Sequence, residues 1–245
     1  MHRFYVENCN NLQQNIIISG QDVNHIRNVL RLKCGEHILV SDGNGKDYQC
    51  LITDIQSDMV EARIEDISKN CAELSVDIVL FQGMPKQDKM EFIIQKAVEL
   101  GVKEIVPVMT KRSVVKLDDK KAEKKLERYN AIAKSAAEQS GRGIIPEVKE
   151  FMSFREAINY AEKLQMNIIP YEEAEGIKYS RKVIKDIKGH KSLGIFIGPE
   201  GGFALDEVDM ATGIGAKCIT LGNRILRTET AGLAVLSIIM FELDD

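Results

Sequence analysis

The 245-residue sequence contains no tryptophan, four histidines and five cysteines, and the scarcities exclude several protein classes. The cysteines, at 9, 34, 50, 71 and 218, are odd in number, scattered and without a close pair. That pattern argues against a disulfide framework or a zinc ribbon and fits the reduced thiols of a cytoplasmic protein. His2, His25, His37 and His190 also lack ligand spacing, so no metal centre is expected. Residues 1–7 have no apolar core of the kind a secretory signal needs. The longest apolar tract, residues 231–241, is about half a membrane span and contains Ser237. It reads as a buried helix. Charge of one sign is lacking too: the net charge is −4, with 7 Lys+Arg against 10 Asp+Glu in residues 1–70 and 26 against 27 in the remainder. Any polyanion site must therefore be a local patch.

What is present is an ordinary globular composition, 44% hydrophobic and 29% charged, in two successive patterns. Residues 1 to 70 read as short strands and turns. Residues 15–18 are a strand candidate. A short helix is expected from Asp22 to Arg31, with Asp22 as cap and Val23, Ile26, Val29 and Leu30 on one face. Residues 37–40 lead into Asp42-Gly43-Asn44-Gly45, a hairpin signal, and residues 48–55 and 59–67 follow as strands. Such a run predicts a small β-barrel. From residue 74 strands alternate with helices. Met90, Ile93, Ile94, Ala97 and Val98 fall at helical spacing before Gly101. Strands are expected at 74–80, 104–109, 167–170, 193–197 and 216–220. Ala122, Leu126, Tyr129, Ala133 and Ala136 mark a second helix, and residues 154–164 a third. This alternation predicts a mostly parallel sheet flanked by helices, with domains at 1–72 and 73–245.

Two loops would sit at carboxyl ends of strands, where open α/β sheets bind ligands. The first is Gly198-Pro199-Glu200-Gly201-Gly202-Phe203. Glycine permits close backbone approach and Pro199 stiffens the turn. No Gly-Lys-Ser/Thr ending follows, and the spacing fails the dinucleotide fingerprint. The acidic Glu200 suits a ligand with a positive centre; a plain strand-to-helix turn explains the glycines equally well. The second loop runs from Leu221 through Arg224, Arg227, Thr228, Glu229 and Thr230 to Gly232. Capping by one threonine, with Glu229 on the helix dipole, explains part of it. The arginines are left over, and they suit phosphate or carbonyl recognition.

Basic residues cluster in several places. Lys111 and Arg112 lie past a strand end. Lys116, Lys120, Lys121, Lys124, Lys125 and Arg128 interleave with Asp118, Asp119, Glu123 and Glu127, as on a solvated helix face. Residues 178–191 carry six Lys or Arg and one acid, Asp186, which fits a polyanion patch or a mobile surface segment. Glu138-Gln139-Ser140-Gly141-Arg142 closes the second helix, where a glycine C-cap is the simplest reading. His25, Arg27 and Arg31 fit RNA phosphate or plain surface placement.

Together these segments form an ordered set. Met1-His2-Arg3-Phe4-Tyr5, Val29-Leu30-Arg31-Leu32, Met84-Pro85-Lys86-Gln87-Asp88-Lys89-Met90-Glu91, Gln95-Lys96-Ala97-Val98-Glu99-Leu100-Gly101-Val102, Arg112-Ser113-Val114-Val115-Lys116 and Glu138-Gln139-Ser140-Gly141-Arg142 precede the two loops. In order and spacing the chain resembles, nearly end to end, the RsmE-type ribosomal RNA uridine N3-methyltransferases of the SPOUT class. Tyr129 departs from the family pattern, which has tryptophan there.

The resemblance implies an α/β fold class: an N-terminal PUA-like β-barrel and a SPOUT α/β domain ending in a trefoil knot, a connection that topology rules alone disfavour. It implies S-adenosylmethionine as cofactor, a homodimer, no membrane, and small-subunit ribosomal RNA or the 30S particle as partner, methylated at uridine N3. Cofactor contacts would fall to Ile169, Tyr171, Glu172, Gly198, Pro199, Glu200, Gly201, Gly202, Leu221, Gly222, Ile225 and Leu226. Arg142 or Arg227 would stabilise negative charge on the base, and Glu229 would accept the N3 proton. RNA contacts would come from Arg3, Arg31, Lys111, Arg112, Gln139, Ser140 and Arg142. Two rival readings are a non-catalytic RNA-binding assembly factor and a knotted methyltransferase acting on transfer RNA or a ribose hydroxyl. The Arg227-Thr228-Glu229 cluster disfavours the first; the barrel and the Gln139-Ser140-Gly141-Arg142 run disfavour the second.

Overall fold

The computed structural model describes residues 1–6, 14–70, 72–113, 119–172 and 174–244. These form two compact units, Met1–Glu73 with Ala137–Ile145, and Leu74–Ala136 with Pro146–Asp245. Val114, Val115 and Lys116 of the fifth family segment lie outside the described residues.

The first unit contains β1 (Arg3–Tyr5), β2 (Asn15–Ser19), α1 (Gln21–Asn24), β3 (His37–Ser41), β4 (Lys46–Ile55) and β5 (Met59–Lys69). They form a five-stranded sheet in the order β1-β3-β4-β5-β2, antiparallel except for β1 against β3. Alternation sends Ile16 and Ile18 of β2 inward, where they meet Ile38, Val40, Tyr48, Cys50, Ile52, Val60 and Ala62. The hairpin forms at Asp42-Gly43-Asn44-Gly45. Asp42 Oδ1 accepts from the amides of Asn44 at 2.8 Å and Lys46 at 3.1 Å, while Gly43 and Gly45 take φ of 71° and 92°.

The expected helix from Asp22 to Arg31 is shorter and differently built. Gly20 occupies the N-cap position, and Asp22 lies inside the first turn. After α1 the chain widens into a π-helical turn, His25–Val29, closed by Leu30 N–H to His25 O at 2.9 Å. That wider turn rotates Val29 out of the apolar stripe, so Val23 and Ile26 are buried while Val29 is 65% exposed. Arg31 then reverses the chain at a φ of 56°.

The second unit contains β6 (Asp77–Gly83), α2 (Lys89–Glu99), β7 (Glu104–Met109), α3 (Asp119–Ser140), β8 (Glu147–Val148), β9 (Met152–Ser153), α4 (Phe154–Ala161), β10 (Met166–Pro170), α5 (Ile177–Asp186), β11 (Ser192–Ile197), α6 (Leu205–Gly213), β12 (Lys217–Ile219) and α7 (Thr228–Leu243). The last turn of α3 belongs to the first unit. The sheet order is β12-β10-β11-β6-β7-β8, with β9 also on β7, and every pairing is parallel. Strands with helices on their faces read as continuous apolar runs, which is why β6 and β11 are so rich in Ile, Val, Leu and Phe.

Helix α2 buries all five residues of its expected stripe. Gly101 ends it at a φ of 91°, and a β-carbon there would lie 2.5 Å from Leu74. Helix α4 starts from a capping box in which Ser153 and Glu156 exchange hydrogen bonds. In the core, Phe81 stacks on Phe196 at 4.5 Å between centroids, and Phe154 tilts against Phe196 and Phe203. Helix α7 packs against α2, α5 and β11. Most boundaries in this unit move by no more than two residues, and the shifts of three are in two elements: β6 runs Asp77–Gly83 and not 74–80, and α4 ends at Ala161 and not at Leu164. Part of the segment 178–191, which composition left between patch and mobile stretch, is the helix α5. Among the described residues no helix is long and apolar enough to cross a membrane.

Candidate active site

Three neighbouring parallel strands, β12, β10 and β11, deliver three loops to one edge of the sheet. Ile169 is buried near the end of β10, and the Tyr171 amide extends the pairing to Ile219 O at 2.9 Å, leaving Glu172 exposed. After β11, Gly202 N–H closes a turn on Pro199 O at 2.8 Å. Gly83, at the end of β6, lets this loop cross closely: a β-carbon there would lie 2.6 Å from Pro199. After β12, Thr220 Oγ1 accepts from Gly222 N–H at 3.2 Å. Gly202 and Gly222 hold φ of 67° and 111°, and a β-carbon at either would meet nothing within 4 Å. The two loops thus present bare backbone beside open space. Leu221 and Leu226 are half-buried, and Ile225 is 93% exposed.

Charge gathers beside them. Lys89, the first residue of α2, places its ammonium 3.0 Å from Glu200 Oε1 and 3.4 Å from Glu229 Oε2. Glu200 also accepts from the Lys86 amide at 3.1 and 3.2 Å. Burial opposes ionisation of Glu200, but the Lys89 hydrogen bond and the backbone amides outweigh it, so its carboxyl is held below the ordinary value. The Glu200 hydrogen bond, above all, raises the Lys89 ammonium. Glu229 Oε2 is buried and receives no well-directed hydrogen bond, although Lys89 is within ion-pair range. One cation against two carboxylates leaves this cluster net negative.

Thr228 does not cap α7. Arg227 holds the N-cap position, exposed and without a side-chain capping bond. The Thr228 hydroxyl instead donates to Gly198 O at 2.6 Å and accepts from Gln82 Nε2 at 2.9 Å, tying together β6, the first glycine loop and the start of α7. Gln82 is fully buried, and its Oε1 has no protein partner among the described residues. Arg112 also serves the glycine loop, donating to Gly201 O at 2.8 Å. Lys111 pairs with Asp206, and its amide donates to Glu207 at 2.8 Å. Both side chains that were expected at RNA phosphate therefore already have partners in this unit.

Arg3, Arg31, Gln139, Ser140 and Arg142 belong to the first unit. Arg31 and Gln139 are exposed and Ser140 is half-buried. Arg3 forks onto Asp47 at 2.7 and 3.0 Å. Arg142, expected at the substrate base, has a side chain that is only 3% exposed and is clamped by Glu73, with Nη2 to Oε2 at 2.6 Å and Nε to Oε1 at 3.0 Å. Glu73 Oε1 also accepts from the Gly143 and Ile144 amides at 2.9 and 3.1 Å. Burial opposes ionisation of Glu73, but these bonds and the Arg142 charge outweigh it and lower its pKa. Tyr5 donates to Arg142 O, and burial pushes its phenol up to about 12, so it remains a donor. A guanidinium so enclosed has a structural task in this unit.

Lys89, Gln82 and Glu73 carry this geometry without having been assigned a role in the sequence, and Thr228 carries it where only a cap was expected. Lys89 lies within a quoted family segment, which was the available signal. Nothing in local pattern marks the other partnerships.

A parallel α/β unit with glycine loops at adjacent strand ends and a net-negative cluster beside them, following a small β-sheet unit, defines a two-domain ligand-binding protein of enzyme type. The family model described as RNA methyltransferase domain matches residues 72–240, and the one described as RNA methyltransferase PUA domain matches residues 18–65. The chain is 38% identical to ribosomal RNA small subunit methyltransferase E of Bacillus subtilis over 92% of this chain and 89% of that protein. It is 33% identical to the protein of that name from Mesomycoplasma hyopneumoniae, over 97% and 98% of the two chains. The crystal structure of the Neisseria gonorrhoeae ribosomal RNA small subunit methyltransferase E bound to S-adenosyl methionine superposes with a TM-score of 0.84 at 34% identity, covering 97% of this chain and 95% of that one. The chain belongs to the RNA methyltransferase family.

Proposed function

We propose that this chain is an S-adenosylmethionine-dependent methyltransferase that methylates N3 of a uridine in small-subunit ribosomal RNA. The observation that carries this reading is the net-negative Lys89, Glu200 and Glu229 cluster beside two glycine-lined loops. The residues present fit the cofactor: bare backbone at Gly202 and Gly222 leaves room for a ring, and unbalanced carboxylate charge suits a sulfonium. Ile169, Tyr171, Glu172, Gly198, Pro199, Glu200, Gly201, Gly202, Leu221, Gly222, Ile225 and Leu226 would hold it. When bound, the cofactor supplies an electrophilic methyl group.

The remaining chemistry falls to this chain's own residues. Uridine N3 carries a proton at neutral pH and is a poor nucleophile until that proton leaves. The Glu229 carboxylate, whose side chain is 19% exposed and whose Oε2 faces Lys89, accepts it. The exposed Arg227, one residue before Thr228 and two before Glu229, compensates the charge that develops on the base. Arg142, enclosed by Glu73, gives up this role. Alignment of N3 with the methyl carbon supplies the rest.

Residues 1–72 serve as the PUA-like RNA-binding domain and residues 73–245 as the SPOUT methyltransferase domain; Arg31, together with Gln139 and Ser140 of the segment that joins the first unit, offers exposed or half-exposed polar groups. The bonds that carry Thr228 back to Gln82 of β6 and to Gly198 support a knotted path after β12. Phe92 on α2 and Ile238 and Phe241 on α7 are exposed apolar groups on two helices that pack together, which supports a homodimer face. A cytoplasmic location and the small-subunit RNA or 30S particle as partner complete the reading. Glu229→Gln provides the test. Its methyl transfer should rise only at higher pH, where deprotonation is left to solvent hydroxide; a pH profile identical to the parent's removes Glu229 from the mechanism.

A further inference from the structure

Helix α5 carries cations at Lys178, Arg181, Lys182 and Lys185, spaced i, i+3, i+4 and i+7, and all four are exposed. The opposite face, Ser180, Val183 and Ile184, is buried, followed by Ile187. The four cations therefore form one solvent-facing stripe. Lys188 and Lys191 extend it with exposed groups beyond the helix.

This stripe differs from the other lysine-rich helix. On α3, Glu123 and Glu127 lie among Lys120, Lys121 and Lys124, as expected for a solvated face. On α5 the charged i,i+4 neighbours are Lys178 with Lys182 and Arg181 with Lys185, two like-charged pairs that each destabilise an isolated helix, against one opposite pair, Lys182 with Asp186. Lys178 also sits in the first turn, where the helix dipole disfavours a cation, and Asp186 is the helix's single acid. Among the described residues none of the four enters an ion pair, and the helix's own acid, Asp186, is its last residue. A face that costs its own helix stability is explained by a polyanion that relieves it.

The stripe is also fixed to the candidate site. The Ser180 hydroxyl accepts from the Thr220 amide at 2.9 Å and donates to Gly176 O at 3.1 Å. Thr220 leads directly into the loop that starts at Leu221, and α5 packs on β12 and α7. The inner face of α5 thus grips the backbone entering the second loop while its outer face presents the charge.

We infer that the outer face of α5, through Lys178, Arg181, Lys182 and Lys185, is a docking surface for the phosphate backbone of the substrate RNA, within the methyltransferase domain itself. This rests on the RNA methyltransferase reading above. Phosphate contacts release counterions, so the surface contributes salt-dependent affinity and not base identity.

The test is binding of the full chain to a small-subunit ribosomal RNA transcript, followed by fluorescence anisotropy over a range of KCl concentrations. The variant Lys178→Gln/Arg181→Gln/Lys182→Gln/Lys185→Gln should lose at least about tenfold in affinity, and its slope of log affinity against log salt should fall by up to about 3. The half variant Arg181→Gln/Lys185→Gln should show an intermediate slope. Binding of S-adenosylmethionine should be unchanged, and thermal stability equal or higher, because repulsive pairs have been removed. Lys120→Gln/Lys124→Gln, on α3, should leave the slope at the parent value. A parent chain that binds the RNA alongside a fourfold variant with the same affinity and slope overturns the surface and leaves the substrate reading intact. A parent chain with no affinity for the RNA overturns both.

Discussion

Replacing Glu73 by glutamine removes the charge that holds Arg142 and leaves most of the side-chain volume in place. The cost follows from the geometry. Arg142 is 3% exposed and Glu73 20%, so the guanidinium remains in a largely dry site with its counter-charge gone. Removing one partner of a buried ion pair costs about 3–5 kcal/mol, and partial water access through Glu73 favours the lower end. The Gly143 and Ile144 amides retain a weaker amide acceptor at best. A loss of about 3 kcal/mol should lower the melting temperature by about 6–12 °C for a chain of this size that melts as one transition. Differential scanning calorimetry reads this directly. The pH dependence has a definite sign. The folded Glu73 carboxyl lies below its ordinary 4.5, so its stabilisation is fully present above that value and is lost as pH falls through the lowered one. The difference between parent and variant should be constant from pH 6 to 8 and shrink only in acid, below about pH 4.5. Glu73→Leu/Arg142→Met should recover only part of the loss, since an apolar pair removes both charges together but leaves the Gly143 and Ile144 amides without their acceptor. A cost under about 1 kcal/mol for Glu73→Gln would refute the structural role of this pair and reopen Arg142 as a functional group.

Three further outcomes are expected. Thr228→Val keeps shape but leaves Gly198 O without its donor and Gln82 Nε2 with one acceptor fewer; affinity for S-adenosylmethionine by calorimetric titration should fall by the equivalent of about 1–3 kcal/mol, and Thr228→Ser should restore it. Gly83→Ala places a methyl 2.6 Å from Pro199, so about 1–3 kcal/mol of thermal stability should be lost together with cofactor affinity. Ile238→Asp/Phe241→Asp puts two carboxylates on the proposed dimer face and should convert the chain to monomer in sedimentation equilibrium, without lowering the melting temperature of the monomer.

Where the physics is local, the sequence was readable. The Asp42 to Gly45 turn, the five-residue stripe of α2 and the two glycine loops are set by neighbours a few positions away. The α1 region fails although its termination is local: a 3.6-residue period does not register the wider π turn, closed by the bond from Leu30 to His25, that moves Val29 into solvent. Helix α5 was hidden because Gly176 provides no side-chain cap and the charges that mask its narrow buried stripe are the ones it displays. At the site, the loops were legible as loops, but their partners were not. Lys89 reaches Glu200 and Glu229 across more than a hundred residues, and Thr228 satisfies Gly198 and Gln82 where capping rules assign it to its own helix. The enclosure of Arg142 was illegible for the same reason: its counter-charge, Glu73, is 69 positions away.

The central claim is methyl transfer from S-adenosylmethionine to uridine N3 of small-subunit RNA. The direct measurement is mass spectrometry of nucleosides from small-subunit RNA lacking the modification, after incubation with the purified chain and S-adenosylmethionine. The account predicts 3-methyluridine at a single position, formed by the parent chain and strongly reduced by Glu229→Gln. A methyl group on a ribose hydroxyl or on another base, or transfer to transfer RNA with none to small-subunit RNA, would contradict it.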